Sequence, residues 1–179
     1  MDLVAIDPGY AVRGKGCAIA MFVNSRLVAT QFLRQGKRFL AEDVPLDHVD
    51  EVIWECPQVD SRTVTSTPAC VQLAAVGGTI AGLIAGAFGA QVFAVSPSDW
   101  KGSVPKPVHH KRLWDKLYPD EIELLGGAET LRQINDAVLK GAGERWKRSG
   151  GDYYPRSWLT HNLLDAVGIG LWRVPRRGI

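Results

Sequence analysis

Short apolar segments separated by turn residues occupy the first half of the chain. Five of them have the length and composition of β-strands: residues 2–6, 17–23, 26–33, 51–55 and 91–95. Asn24-Ser25 lies between the second and third segments and is predicted to close a hairpin. Asp7-Pro8-Gly9 follows the first segment directly and is predicted to end it.

Longer apolar stretches with helical spacing follow the fourth segment. A helix rich in Gly and Ala is predicted over about 68–88, and three more over 108–117, 128–140 and 157–172. The order predicts an α/β fold in which helices cover a mixed sheet. We expect a single domain over residues 1–179, with an insertion or a mobile excursion at 118–156. The glycines of the long helix suit close packing, either flat on the sheet or in a dimer interface.

The composition fits this prediction. The chain has 179 residues, of which 46% are hydrophobic and 22% charged, enough for a core without disulfides. Cys17, Cys56 and Cys70 form an odd set without metal-ligand spacing and are expected to be free thiols. No apolar run is expected to be long enough to cross a membrane. The best candidate, Val76 to Ala90, is interpreted as a packed helix, so no membrane partner is expected. The start of the sequence has no basic and apolar leader, which predicts a cytoplasmic protein.

The formal net charge is only +2, but the charge is segregated. Residues 41–60 carry seven acids and no Lys or Arg, whereas bases cluster at 101–116 and 140–156. Local basic surface of this kind attracts nucleic acid. Solvated loops give the same pattern, and from charge alone they are the more common explanation. Trp100 and Trp114 lie in the first basic cluster and are interpreted as core residues rather than base-stacking groups.

Three acids stand out by position. Asp7 follows the first strand, Glu55 ends the fourth, and Asp165 lies in an otherwise apolar helix with His161 one turn before it. If the two strands are neighbours and the helix crosses their ends, these side chains converge. Hard oxygen ligands select Mg²⁺ or Mn²⁺, and two such ions about 3.5–4 Å apart hydrolyse phosphodiesters.

Each of these residues also has a structural explanation. Asp7 could cap a turn, Glu55 could be a surface acid, and His161 could be a hydrogen-bonded helix residue. Asp165 could form a buried ion pair with Arg173 or Arg156. Only the joint arrangement favours a metal site.

Four segments, in order, resemble RuvC-type Holliday junction resolvases. They are Ala5–Ile19 with its Asp-Pro-Gly and Gly-x-Gly, Val52–Glu55, Gln72–Gly78, and His161–Ile169 with its Asp-Ala ending. They span nearly the whole chain apart from about 118–156. In addition, Trp100–Lys106 with Lys111-Arg112 is similar to a basic segment of the phage-type members.

The resemblance implies an RNase H-like fold with a five-stranded mixed sheet flanked by helices. It implies a homodimer that binds branched DNA, above all four-way junctions, and resolves them by paired nicks made by metal-activated water. Asp7, Glu55, His161 and Asp165 would be the catalytic metal ligands, with two Mg²⁺ or Mn²⁺ ions in each site. The residues predicted to contact DNA are Arg13, Lys15, Lys101, Lys106, Lys111 and Arg112.

The sequence departs from the family pattern at two places. The family more often has an acid or His three residues before the final Asp, where this chain has Asn162. An aromatic wedge often follows the Glu, whereas here Pro57-Gln58-Val59 follows Cys56. Other groups would then have to open the junction.

Other function classes remain open on this pattern. A broader branched-DNA or flap nuclease and an RNase H-type hybrid nuclease would share the core and the metals. A non-catalytic junction-binding protein would not need converging acids. Sugar kinase-like or actin-like ATPases also begin with an Asp-x-Gly loop, but they need two lobes and this chain has room for one. No nucleotide cofactor is therefore expected.

Overall fold

The computed structural model describes five stretches of the chain: residues 1–8, 17–33, 40–58, 67–129 and 156–174. For residues 41, 67, 107 and 156–161 the backbone is described but the side chain is not. The predicted DNA contacts Arg13 and Lys15 lie outside the described residues. So do residues 130–155 of the predicted excursion, most of the predicted helix 128–140, and the side chain of His161.

Five strands form one mixed sheet with the order β3-β2-β1-β4-β5. The strands are β1 (Asp2–Asp7), β2 (Cys17–Val23), β3 (Arg26–Leu33), β4 (Glu51–Glu55) and β5 (Gln91–Val95). The first three are antiparallel neighbours, and β4 and β5 run parallel to β1. The predicted strands and the predicted mixed sheet are confirmed.

The turn between β2 and β3 has the chemistry that the sequence predicted. Asn24 and Ser25 have φ values of 50° and 66°, so both central residues are in the left-handed region. Such a two-residue turn matches the twist of the strands it joins, and Asn adopts this conformation more readily than most residues.

Within the described stretches, five helices and one short 3₁₀ turn accompany the sheet. They are α1 (Thr67–Phe88), α2 (Pro97–Trp100), α3 (Lys106–Trp114), α4 (Pro119–Leu124), α5 (Arg156–Arg173) and the 3₁₀ turn Ala41–Asp43. α1, α3 and α5 match predicted helices, with α3 starting two residues earlier and ending three residues earlier than predicted. α2 was not predicted, although Ser96 and Asp99 form a capping box around Pro97.

The two faces of the sheet have different cover. Val4 and Ile6 of β1 belong to the cluster that includes α1 residues such as Ile84. Leu3 and Ala5 belong to the cluster that includes α5. Because side chains alternate along a strand, the next odd-numbered residue, Asp7, lies on the α5 side.

The start of the predicted excursion packs on the outer edge of the sheet. Arg26 of β3 forms an ion pair with Asp120 of α4 at 2.6 Å. The buried carboxylate of Glu121 accepts a hydrogen bond from the backbone N–H of Leu27 at 2.8 Å. Residues 119–124 therefore cover part of β3, the edge strand.

α1 is an uncharged helix with one side on the sheet. By length and composition alone, Pro68–Phe88 is long and apolar enough to cross a membrane, and 22% of its most apolar stretch is buried. The prediction that no apolar run reaches this length is therefore wrong. One such helix is weak support for a membrane span, because core helices of soluble proteins pass the same test. Gly77 of α1 lies directly against the ring of Trp54 in β4.

Candidate active site

Asp7 and Glu55 lie at the same end of the sheet on neighbouring strands. β1 and β4 pair in parallel with Ile6 opposite Trp54, so the register continued by one residue sets Asp7 beside Glu55. Ile53 belongs to the α5-side cluster, and the alternation places Glu55 on that side too. The first condition for the convergence of the acids, that these two strands are neighbours, is therefore met.

Asp165 of α5 completes a group of three acids. It is buried in the helix that packs across β1 and β2. The pKa of Asp7 is raised well above its ordinary value, first by burial and then by the negative charges of Asp165 and Glu55. The three carboxylates are thus close enough to repel one another.

The carboxylate of Glu55 receives two donors from adjacent residues. The indole Nε1 of Trp100 donates to Oε2 at 2.6 Å, and Lys101 Nζ lies 3.2 Å from the same oxygen. The ammonium group of Lys101 also lies 4.7 Å from the centre of the Trp100 ring. Trp100 is a core residue, as predicted, but its indole N–H donates a hydrogen bond to Glu55 of the site.

Two residues of α3 hold the carboxylate of Asp165. Lys106 Nζ lies 2.9 Å from Oδ2, and His110 Nε2 lies 3.0 Å from Oδ1. The two are four residues apart, so they share one face of α3. Arg173, which the sequence offered as a partner for Asp165, instead binds Glu51 at 2.6 and 2.7 Å. The other offered partner, Arg156, has a side chain outside the described residues.

The two lysines and the three acids depend on one another electrostatically. Burial lowers the pKa of Lys101, but attraction by Glu55, Asp165 and Asp7 outweighs it, so that the pKa is raised overall. Lys106 and Lys101 in turn oppose the rise in the pKa of Asp7. At neutral pH Lys101 is therefore a cation beside the carboxylates.

The donor chemistry of this site fits a hard divalent cation. Mutually repelling carboxylates need positive charge, and carboxylate oxygen is a ligand that Mg²⁺ and Mn²⁺ prefer. Within the described stretches, however, no group of three or more His, Cys, Asp or Glu side chains is close enough to hold a metal ion. Ammonium groups lie on oxygens of Glu55 and Asp165 that a metal would use.

The remaining predicted DNA contacts lie on α3. Lys111 and Arg112 are exposed, and Lys111 pairs with Asp115 at 2.7 Å. Lys101 and Lys106 are less exposed because they reach into the acids. The predicted basic segment is therefore continuous with the group of acids.

Sequence reasoning missed both histidines of α3 as parts of the site. His109 is buried with its ring 5.0 Å from that of Trp100, and burial lowers its pKa to about 4. In the sequence, His110 stands within the basic cluster at 101–116, which gave no reason to assign it to the site. The signal in the sequence was the spacing of four residues between Lys106 and His110, which places both on one face of a helix. That this face is directed at Asp165 follows only from the packing of α3 on α5.

The three cysteines are free thiols, as predicted. Cys17 and Cys70 are buried and Cys56 is half-buried beside Glu55. Burial, together with the charge of Asp7, raises the pKa of the Cys17 thiol well above its ordinary value. Cys17 is thus a poor nucleophile at neutral pH.

No protein-family model matches the chain, and no curated protein matches its sequence. Among solved structures, it is similar to Thermus thermophilus RuvC in complex with a Holliday junction substrate. That match has a TM-score of 0.51 and 14% identity, and covers 97% of this chain and 93% of that chain. A second T. thermophilus RuvC structure gives a TM-score of 0.44 and 16% identity over the same shares. The first match and the sheet topology agree with the fold expected from the sequence: the chain has an RNase H-like fold, with a five-stranded mixed sheet flanked by helices.

Proposed function

We propose that the protein is a metal-dependent, structure-specific endodeoxyribonuclease that resolves four-way DNA junctions by paired nicks. One observation carries the proposal. In a fold like that of RuvC, Asp7 and Glu55 end neighbouring strands and Asp165 lies near them. The pKa of Asp7 is raised by its burial and by the negative charges of Asp165 and Glu55. A protein that only bound DNA would gain nothing from acids that repel phosphates.

The residues that would hold the metal ions are Asp7, Glu55 and Asp165, with His161 as the predicted fourth ligand. Bound there, two Mg²⁺ or Mn²⁺ ions would supply an activated water and stabilise the leaving oxygen. The protein's own contribution is to orient the carboxylates. Trp100 and His110 donate to Glu55 and Asp165 from buried positions, which fixes the direction of each carboxylate.

DNA would be held by the basic residues that adjoin the acids. Lys111 and Arg112 are exposed on α3 and suit phosphate contacts that position the substrate without reading its sequence. Lys101 and Lys106 lie at the carboxylates, where a scissile phosphate would have to come. We assign Arg13 and Lys15 to the same role from the sequence alone, and the likeness to phage-type members also rests on the sequence.

Paired nicks require two active sites, so we propose a homodimer. Two-fold symmetry of the protein matches two-fold symmetry in a junction. The outward side of α1 supports this proposal because it carries no charge, and Val71 and Leu83 there are 61% and 50% exposed. Small residues on the same helix would allow a second copy to approach closely.

A substrate panel tests the proposal. The full chain with Mg²⁺ or Mn²⁺ is incubated with a four-way junction, a linear duplex, a single strand and an RNA–DNA hybrid. We expect cutting of the junction far above the other three substrates. Preferred cutting of the hybrid would overturn the resolvase assignment in favour of an RNase H-type enzyme.

A broader nuclease that also cuts flaps is the second candidate. It is favoured by the described residues after Glu55, Cys56 to Gln58, which contain no aromatic ring to unstack the junction centre. Adding a flap and a three-way junction to the panel separates the two candidates.

A further inference from the structure

One short segment supplies two donors to each of two acids. We call residues 100–110 the donor segment. Its Trp100 and Lys101 contact Glu55, and its Lys106 and His110 contact Asp165. In each pair one donor is the N–H of an aromatic ring and the other is an ammonium group.

The ring donors are buried. Trp100 is 7% exposed and His110 is 0% exposed. An ionised carboxylate only accepts hydrogen bonds, so the Nε2 of His110 carries the proton that it shares with Asp165 Oδ1. The Trp100 ring is held by packing, because it lies against Gly168 of α5 and His109 of α3.

The lysine donors are more accessible. The side chains of Lys101 and Lys106 are 28% and 39% exposed, against 16% and 6% for the Glu55 and Asp165 side chains that they bind. A lysine ammonium is a point charge on a flexible four-carbon stem, and it can change partner without moving the backbone. An ammonium group and a divalent ion also compete for the same carboxylate lone pairs.

We propose that the donor segment divides two roles: Trp100 and His110 are positioning residues that stay on the carboxylates, whereas Lys101 and Lys106 are exchangeable counter-ions that a divalent ion displaces. The displaced ammonium groups would then be free to contact a DNA phosphate at the site. This inference rests on the proposed metal-dependent function. It also gives the order of events at the site: the lysines would leave the carboxylates when a divalent ion binds, and would then be available to DNA.

The two roles predict effects of opposite sign on metal affinity. Removing a ring donor leaves a carboxylate free to rotate and should weaken binding by about 10- to 100-fold, as for other residues that orient metal ligands. Removing a lysine removes both a competitor and a repelling charge. It should tighten binding by about three- to tenfold.

Calorimetric titration of the full chain with MnCl₂, without DNA, measures both effects. The variants are Trp100→Phe and His110→Leu for the ring donors, and Lys101→Met and Lys106→Met for the counter-ions. His110→Gln keeps a donor near the position of Nε2 and should recover part of the affinity lost in His110→Leu. Trp114→Phe and Lys116→Met are controls for the loss of a buried indole and of a positive charge in the same region, and both should keep wild-type affinity.

Junction cleavage adds a second readout for the lysines. Lys106→Met should bind Mn²⁺ more tightly and yet cut more slowly, a combination that a purely structural role would not produce. Lysine variants that bind Mn²⁺ with unchanged or weaker affinity would overturn the exchange, and an unchanged affinity in Trp100→Phe would overturn the positioning role. Both outcomes leave the proposed nuclease standing, whereas wild-type protein that binds no Mn²⁺ would overturn the nuclease and this inference together.

Discussion

Lys106 Nζ lies 2.9 Å from Asp165 Oδ2, which joins α3 to α5 at the centre of the candidate site. From the sequence, Lys106 was predicted to contact DNA and Asp165 to bind a metal ion. Their contact means that the basic segment and the acids form one electrostatic unit. Changes in either residue should therefore affect both the charge of the site and its hold on DNA.

The charge of Asp7 should oppose folding at neutral pH. Its pKa is raised, first by burial, so the folded state binds the proton more tightly than the unfolded state. Stability is then fully present below the unfolded pKa and is lost as the pH rises through the raised folded pKa. In chelator at pH 7, Asp7→Asn should have a higher Tm than wild type, and the difference should shrink as the pH falls.

Thermal melts of both proteins between pH 4 and pH 8 check this prediction. Asp115→Asn makes the same substitution at an exposed residue paired with Lys111 and should give no gain in Tm. A lower Tm for Asp7→Asn at pH 7 would contradict the claim that the buried charge of Asp7, next to Asp165 and Glu55, destabilises the folded state.

Removing two positive charges from α3 should weaken DNA binding and reduce its salt dependence. Each phosphate contact contributes about 0.9 to the slope of log K against log salt for duplex DNA. Lys106→Ala with Lys111→Ala should therefore lower the slope for a four-way junction by about 1–2. Gel-shift titrations between 50 and 200 mM salt measure the slope, with Arg26→Gln on the edge strand β3 as a control. An unchanged slope would exclude α3 from the DNA surface.

His109 should make the fold sensitive to acid. Burial lowers its pKa from an ordinary value near 6.5 to about 4. Between these two pH values the unfolded chain is protonated at His109 and the folded chain is not. Stability is present above about pH 6.5 and falls as the pH drops toward 4, by up to about 3 kcal/mol. His109→Phe keeps a ring beside Trp100 and cannot titrate. Urea unfolding should show a flatter pH profile for this variant, and parallel profiles would count against the prediction.

Gly168 should be intolerant of a side chain. An added Cβ would lie 2.5 Å from Trp100 and 2.8 Å from Leu113, so Gly168→Ala forces apart the helices that carry the site. We expect a loss of about 1–3 kcal/mol in the free energy of unfolding. At Gly82 of α1 an added Cβ meets no heavy atom of the described residues within 4 Å. Gly82→Ala should gain about 0.5–1 kcal/mol, so chemical denaturation should give opposite signs.

The sequence predicts the sheet well because its signals are local. Cys17–Val23 and Arg26–Leu33 are apolar runs bounded by turn residues, and Asn24 suits the left-handed turn between them. The three acids were predicted because each stands out against an apolar element. Their convergence needed the parallel pairing of β1 with β4, which no local pattern specifies.

The partners of the acids could not be predicted in the same way. Whether His110 faces α5 or solvent depends on how α3 packs against the rest of the protein. The pattern of polar residues along Lys106–Trp114 does not show which face of the helix is buried. The indole of Trp100 has an apolar body, which places it in the core, and a single N–H whose direction is set only by the tertiary fold. α2 was missed although Ser96, Pro97 and Asp99 have the spacing of a capping box.

The most direct test of the proposed function is to map the cuts made in a synthetic four-way junction. Wild type and Asp7→Asn are compared with Mg²⁺, with Mn²⁺ and with chelator, and junction binding is measured in parallel. We predict paired nicks at symmetric positions by wild type, lost in chelator and in Asp7→Asn, while Asp7→Asn still binds the junction at least as tightly. Cutting by Asp7→Asn at the wild-type rate, or a junction that wild type binds but leaves uncut with either metal, would contradict the assignment of the three acids.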